Sequence, residues 1–172
     1  MIHEDLLQQA LQLATIDPNR PKQVNLRRSI SASYYAVFHA FTYTAASILY
    51  GKGRSQIDLE GRSLLRRAVS HNDLELAVKS LFSGALPRFY KGKIGPRPST
   101  LVDLGRKYSP LKEARHEADY NMSVTFTRVE ALATHADAVR LVSLLQSKDF
   151  TEQTDLKTVA VILLNHGAYK RR

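Results

Sequence analysis

The run LRRSISASYYAVFHAFTYTAASILY, residues 26–50, constrains the fold more than any other stretch. Leu26, Ile30, Tyr34, Val37, Phe38, Phe41, Ala45, Ile48 and Leu49 recur at intervals of three and four. That spacing predicts an α-helix with one wide apolar face. No proline or glycine interrupts it, and it stops at Gly51 and Gly53, which can take the left-handed backbone that ends helices. At about 24 residues it is long for a globular helix and suits the spine of a bundle.

The remaining segments read as helices of the same kind. Residues 4–15 carry Leu6, Leu7, Leu11 and Leu13 with Ala10 and Ala14, a short amphipathic helix, and a loop with two prolines follows. GRSLLRRAVSHNDLELAVKSLFSG reads as two short helices meeting near His71. Asn72 and Glu75 have capping-box spacing, so the second should start at 73 and end at Gly84. STLVDLGRKY predicts another short helix. Ser109 as N-cap and Pro110 as first helical residue then predict a new start. Thr127 and Glu130 form a second capping box, opening a helix over 128–147. Its apolar face is expected to be Val129, Leu132, Ala133, Ala136, Val139, Val142 and Leu145. No segment alternates like a strand. The fold class is therefore all-α, an up-and-down bundle of four to six helices, with long helices at about 26–50 and 128–147. Residues 1–150 form the domain, and 151–172 a C-terminal helix with a basic tail.

Composition narrows the function classes. The 172-residue chain has no cysteine, so disulfides and cysteine zinc sites are excluded. The start MIHEDLLQQA lacks a signal-peptide pattern, and no apolar run is long enough to span a bilayer. The expected setting is cytoplasmic. Formal net charge is +9, which favours polyanionic partners, nucleic acid first. Residues 84–115 hold eight Lys and Arg against Asp103 and Glu113, a net +6. Within that stretch Arg88, Phe89, Tyr90, Lys91, Lys93 and Arg97 could form a nucleic-acid arm, cations on phosphates and rings on unpaired bases. A solvated loop explains the same residues equally well.

LKEARHEADYN, residues 111–121, concentrates chemistry on one helix. Arg115 and Asp119 are four apart, as are His116 and Tyr120, so all four side chains can share neighbouring strips of one face. Histidine suits proton transfer near neutral pH, and arginine grips phosphate through a planar fork. A surface Arg–Asp pair with a rim tyrosine explains the residues too. His39 reads as a hydrogen-bonded residue at the core edge. Tyr34 and Tyr35 read as packing and dimer-contact residues. No spacing suits a metal, and no phosphate loop is present, so no metal or cofactor is expected.

RRSISASYYAVFHAF resembles the second helix of HEPN domains, where a Tyr-Tyr-Ala-x-Phe-His run is common. ARHEADYN lies where that family places its catalytic motif, and the resemblance spans about residues 4–147. It implies a four- or five-helix bundle that dimerises, with a ribonuclease site at the dimer cleft of active members. The motif is an arginine, a polar residue, then a histidine four to six residues after the arginine. Arg115 matches the first and His116 the second, but Tyr120 stands where the histidine would be. Arg66 and His71 also have the spacing, earlier in the chain than the family places it.

The resemblance implies a homodimeric RNA-binding protein, as a metal-independent endoribonuclease of a toxin–antitoxin or defence system. The alternative is a non-catalytic HEPN scaffold, binding nucleotide or an antitoxin or nucleotidyltransferase-type partner. A DNA-binding helical protein ranks lower, because no tight Gly-containing turn precedes a recognition helix.

Overall fold

The structure is a computed structural model that describes residues 1–51, 53–83, 99–147 and 160–161. It is all-α, with no strand among the described residues. The helices are α1 (Ile2–Thr15), α2 (Gln23–Tyr50), α3 (Gln56–Arg67), α4 (His71–Ser83), α5 (Ser99–Tyr120) and α6 (Arg128–Gln146). The nucleic-acid arm expected at Arg88, Phe89, Tyr90, Lys91, Lys93 and Arg97 lies outside the described residues, as does nearly all of the C-terminal tail.

The described residues form two compact units. The first joins Met1–Ala40 to Lys107–Ser143, so it packs α1, the start of α2, the end of α5 and most of α6. The second takes the described residues of Phe41–Arg106 and of Leu144–Arg172.

In the first unit Ala14, Leu26, Ile30, Ala118 and Ala131 form a buried cluster, with Ala114, Phe126 and Leu132 packed against it. The many alanines let helix backbones approach closely. The spine helix differs from its expected one-sided pattern: Ser29, Ser31, Ser33, Ala32 and Ala36 are buried along with Ile30, Tyr34 and Val37. A helix surrounded by others buries small polar residues only if their hydroxyls are satisfied. Ser29 donates to the Ala10 carbonyl at 2.7 Å, and Ser33 to the Ser29 carbonyl at 2.9 Å.

The loop between α1 and α2 is tied to the segment before α6. Asp17 accepts from Lys22 N–H and from the Asn25 amide, at 3.1 and 2.7 Å. Arg128 donates to the Pro18 carbonyl at 2.8 Å. The Gln23 amide and the Phe126 backbone exchange two hydrogen bonds, 2.7 and 2.8 Å. Thr127 caps α6 as its spacing predicts, with Glu130 accepting from Thr127 N–H at 2.7 Å and donating its own N–H to the Thr127 hydroxyl.

Four local expectations are corrected. Helix α4 starts at His71, not 73, because Ser70 and Asp73 make the cap. Ser70 Oγ accepts from Asp73 N–H at 3.1 Å and donates to its carboxylate at 2.7 Å. No helix starts at Pro110, because α5 runs through it. Proline removes one helical hydrogen bond, but Pro110 is exposed, while Leu104, Tyr108 and Leu111 are buried. Burial of that apolar face outweighs the lost bond. In α6 the buried residues are Ala131, Ala138, Leu141, Val142 and Leu145, whereas Val129, Ala133, Ala136 and Val139 are exposed. Last, Gly51 has a positive φ of 69° and Gly53 does not. The turn there is held instead by Arg62, which donates to the Gly51 and Gly53 carbonyls at 2.8 and 2.6 Å.

Candidate functional site

The ARHEADYN stretch forms the last two turns of α5 up to Tyr120, with Asn121 just past the helix, within the first unit. Helical spacing sets Arg115 and Asp119 side by side, with Nε 2.6 Å from Oδ2. That N–H is not aimed at an oxygen, so the contact is a charge pair rather than a hydrogen bond. Both side chains are largely buried, 15% and 17% exposed. Arg115 Nη2 donates to the Tyr35 hydroxyl at 2.7 Å and, weakly, to that of Tyr120 at 3.5 Å. Its guanidinium carbon lies 5.8, 5.3 and 5.2 Å from the ring centroids of Tyr34, Tyr35 and Tyr120. Cation–π attraction is worth about 0.5–1 kcal/mol at exposed sites and about 2 when desolvated, so this cage holds the arginine in one orientation.

Burial opposes the Arg115 charge. The Tyr35 hydroxyl, the Asp119 carboxylate and the Tyr120 hydroxyl oppose that burial and leave its pKa above the ordinary guanidinium value. Arg115 is a permanent cation. Its Nη1 has no hydrogen-bond partner among the described residues. Asp119 is held from its other side by the buried Ser31 hydroxyl, which donates to Oδ1. His116 and Tyr120 face solvent, their ring centroids 5.1 Å apart.

The structure thus brings Arg115, His116, Asp119 and Tyr120 together and adds Ser31, Tyr34 and Tyr35 from α2. Tyr35 is an arginine ligand as well as a packing residue. Ser31 and Tyr35 are four apart, so one face of α2 meets one face of α5; that spacing was the available signal. His39 is partly buried, its ring 5.6 Å from that of Phe38. Arg66 and His71 belong to the second unit; Arg66 lies in the last turn of α3 with its guanidinium 5.7 Å from the Tyr43 ring, and His71 opens α4.

Two arginines that sequence reasoning passed over frame the site. Arg27 donates to the carbonyls of Ala118 and Asn121, at 2.9 and 3.0 Å, and also to those of Glu117 and Val124. It closes the C-terminal end of α5, where four carbonyls lack helical partners and the helix dipole favours a cation. Its neighbour Arg28 is exposed and makes no hydrogen bond or ion pair among the described residues. A groove of about 580 Å³ opens beside the cluster, lined by Val24, Arg28, Asp119, Tyr120, Met122 and Thr125 among others. Among the described residues no three His, Asp or Glu gather as a metal site would.

Compared with known proteins, the chain matches no family model, no curated protein and no solved structure. Among the described residues no helix is long and apolar enough to cross a membrane.

Proposed function

We propose that this protein is a HEPN-like RNA-binding module that acts in the cytoplasm as a homodimer and cleaves RNA without a metal ion. One observation carries the proposal: a permanently charged arginine is held beside a solvent-facing histidine and tyrosine. In a chain of net charge +9, such a cluster suits a phosphodiester. Arg115 Nη1 would grip a non-bridging phosphate oxygen and stabilise the charge of the phosphorane. His116 would take the 2′-hydroxyl proton. Tyr120 would donate its O–H as a hydrogen bond. Two copies apposed through this face of α5 would supply a second His116 as the acid. Such an activity fits a toxin–antitoxin or defence role, with an antitoxin as a further partner.

A second reading has its own support. Asp119 already neutralises Arg115, and Tyr120 replaces the histidine that the resemblance calls for. Both favour a non-catalytic scaffold that binds nucleotide or another protein. Incubating the full chain with labelled single-stranded RNA in EDTA separates the two. Fragments ending in a 2′,3′-cyclic phosphate, abolished by His116→Ala, are expected for the nuclease. Intact RNA at high protein concentration would leave the scaffold.

A further inference from the structure

We infer that the groove beside Tyr120 is a subsite for one unpaired nucleotide, its base on the Tyr120 ring and its phosphate on Arg28. The inference rests on the RNA-binding reading but concerns residues outside the Arg115–His116 pair. The groove, about 580 Å³, falls in the size range of small-ligand pockets. Its walls are apolar where a base needs a flat surface: Val24, Tyr120 and Met122 are 60%, 63% and 74% exposed.

The two arginines that line it differ in a way that assigns their roles. Arg27 is committed to the carbonyls at the end of α5 and cannot turn to a ligand without uncapping that helix. Arg28 has no such commitment, so its fork is available for phosphate. Asp119, the acid in the lining, has its charge taken up by Arg115 and Ser31 and repels an incoming phosphate less than a bare carboxylate would. An aromatic platform beside an uncommitted cation is the arrangement that holds a splayed-out base, because every base has a face that stacks. Duplexes, whose bases are already stacked on each other, cannot use it. The occupant is therefore a single strand.

Tyr120 joins this groove to the Arg115 cluster, so a nucleotide seated here would place an adjacent phosphate toward that cluster. The hydroxyl and the ring of Tyr120 have separable jobs, and Tyr120→Phe separates them.

The test uses the full chain and short single-stranded 2′-O-methyl oligonucleotides, which cannot be cleaved through the 2′-oxygen, with and without one abasic position. Affinity is read by fluorescence anisotropy. Tyr120→Ala should weaken binding about tenfold, and Tyr120→Phe, which keeps the ring and loses only the hydroxyl, should recover most of that loss. The abasic oligonucleotide should lose about the same factor against the parent and nothing further against Tyr120→Ala. Arg28→Ala should lower the slope of log affinity against log salt by about 0.7, the value for one phosphate contact on a single strand. Equal binding of abasic and complete strands by the parent protein would overturn the subsite while leaving the RNA-binding reading intact. So would a Tyr120→Phe variant as weak as Tyr120→Ala. A change of oligomeric state in Tyr120→Ala would assign the groove to a second copy of the chain and overturn it as well. Failure to bind any oligonucleotide would remove both readings together.

Discussion

Arg27 and Arg115 are both cations held by α5, yet the bonds they make give them different work. Arg27 closes the helix end through backbone carbonyls. Hydrogen bonds to charged groups contribute about 1.5–3 kcal/mol each and are not additive. Arg27→Ala should therefore destabilise the protein by about 2–3 kcal/mol in urea unfolding, and Arg27→Lys should recover little, because an ammonium cannot span the carbonyls that a fork reaches. Arg115 is paired with Asp119 in a nearly buried setting, so removing either partner strands the other. The double variant Arg115→Ala/Asp119→Ala should be less destabilised than the sum of the singles, with a coupling of about 0.5–3 kcal/mol. Additive losses would mean that the two charges do not stabilise each other. None of this was fully legible in the sequence. The i, i+4 spacing announced the Arg115–Asp119 pair, but Ser31 and Tyr35 come from a helix about eighty residues earlier, and their own i, i+4 spacing marks a shared face without naming the helix it meets.

At the scale of the helix, the sequence reported starts better than faces and stops. Thr127 and Glu130 cap α6 as their spacing required, because a cap is a contact between near neighbours. The same logic chose the wrong pair for α4, where Ser70 and Asp73 have equivalent spacing and lie closer to the observed start. Pro110 misled for a different reason: it fits a helix start, but burial of Tyr108 and Leu111 carries α5 through it. Pro110→Ala should consequently raise stability by about 1–3 kcal/mol, since it restores a helical N–H donor and relieves the ring clash. A lower melting temperature would show that the proline is needed for the shape of α5. The α6 cap also predicts a pH dependence. Thr127 N–H and hydroxyl hold the Glu130 carboxyl below its ordinary pKa. A depressed folded pKa means stability that is complete above the unfolded value of about 4.3 and lost as pH falls through the folded one. The stability difference between the parent and Glu130→Gln should therefore shrink on acidification from about pH 6 to about pH 3. A constant difference would contradict the ionised cap.

For the molecule as a whole, the net charge of +9 is what recommends a polyanionic partner. The long apolar run at 26–50 and the absence of alternating segments were enough to read an all-α chain. They were not enough to read which side of α6 is buried. Its alternative apolar positions fit a helix equally well, and the burial of Ala131 rather than Val129 and Ala133 goes with its packing beside Ala14, Leu26, Ile30 and Ala118, which lie on other helices. The site was half legible. Its α5 residues stood together in eleven letters, whereas the groove needs Val24 and Arg28 from the start of α2. On the proposed RNA-binding function, a polyanion binds this protein by displacing counterions, and a single strand binds better than a duplex. The most direct test is the affinity of the full chain for a single-stranded RNA across a salt series. The account predicts a steep linear fall of log affinity with log salt, and weaker binding of duplex DNA at every point. Affinity indifferent to salt, or equal for the two nucleic acids, would contradict it.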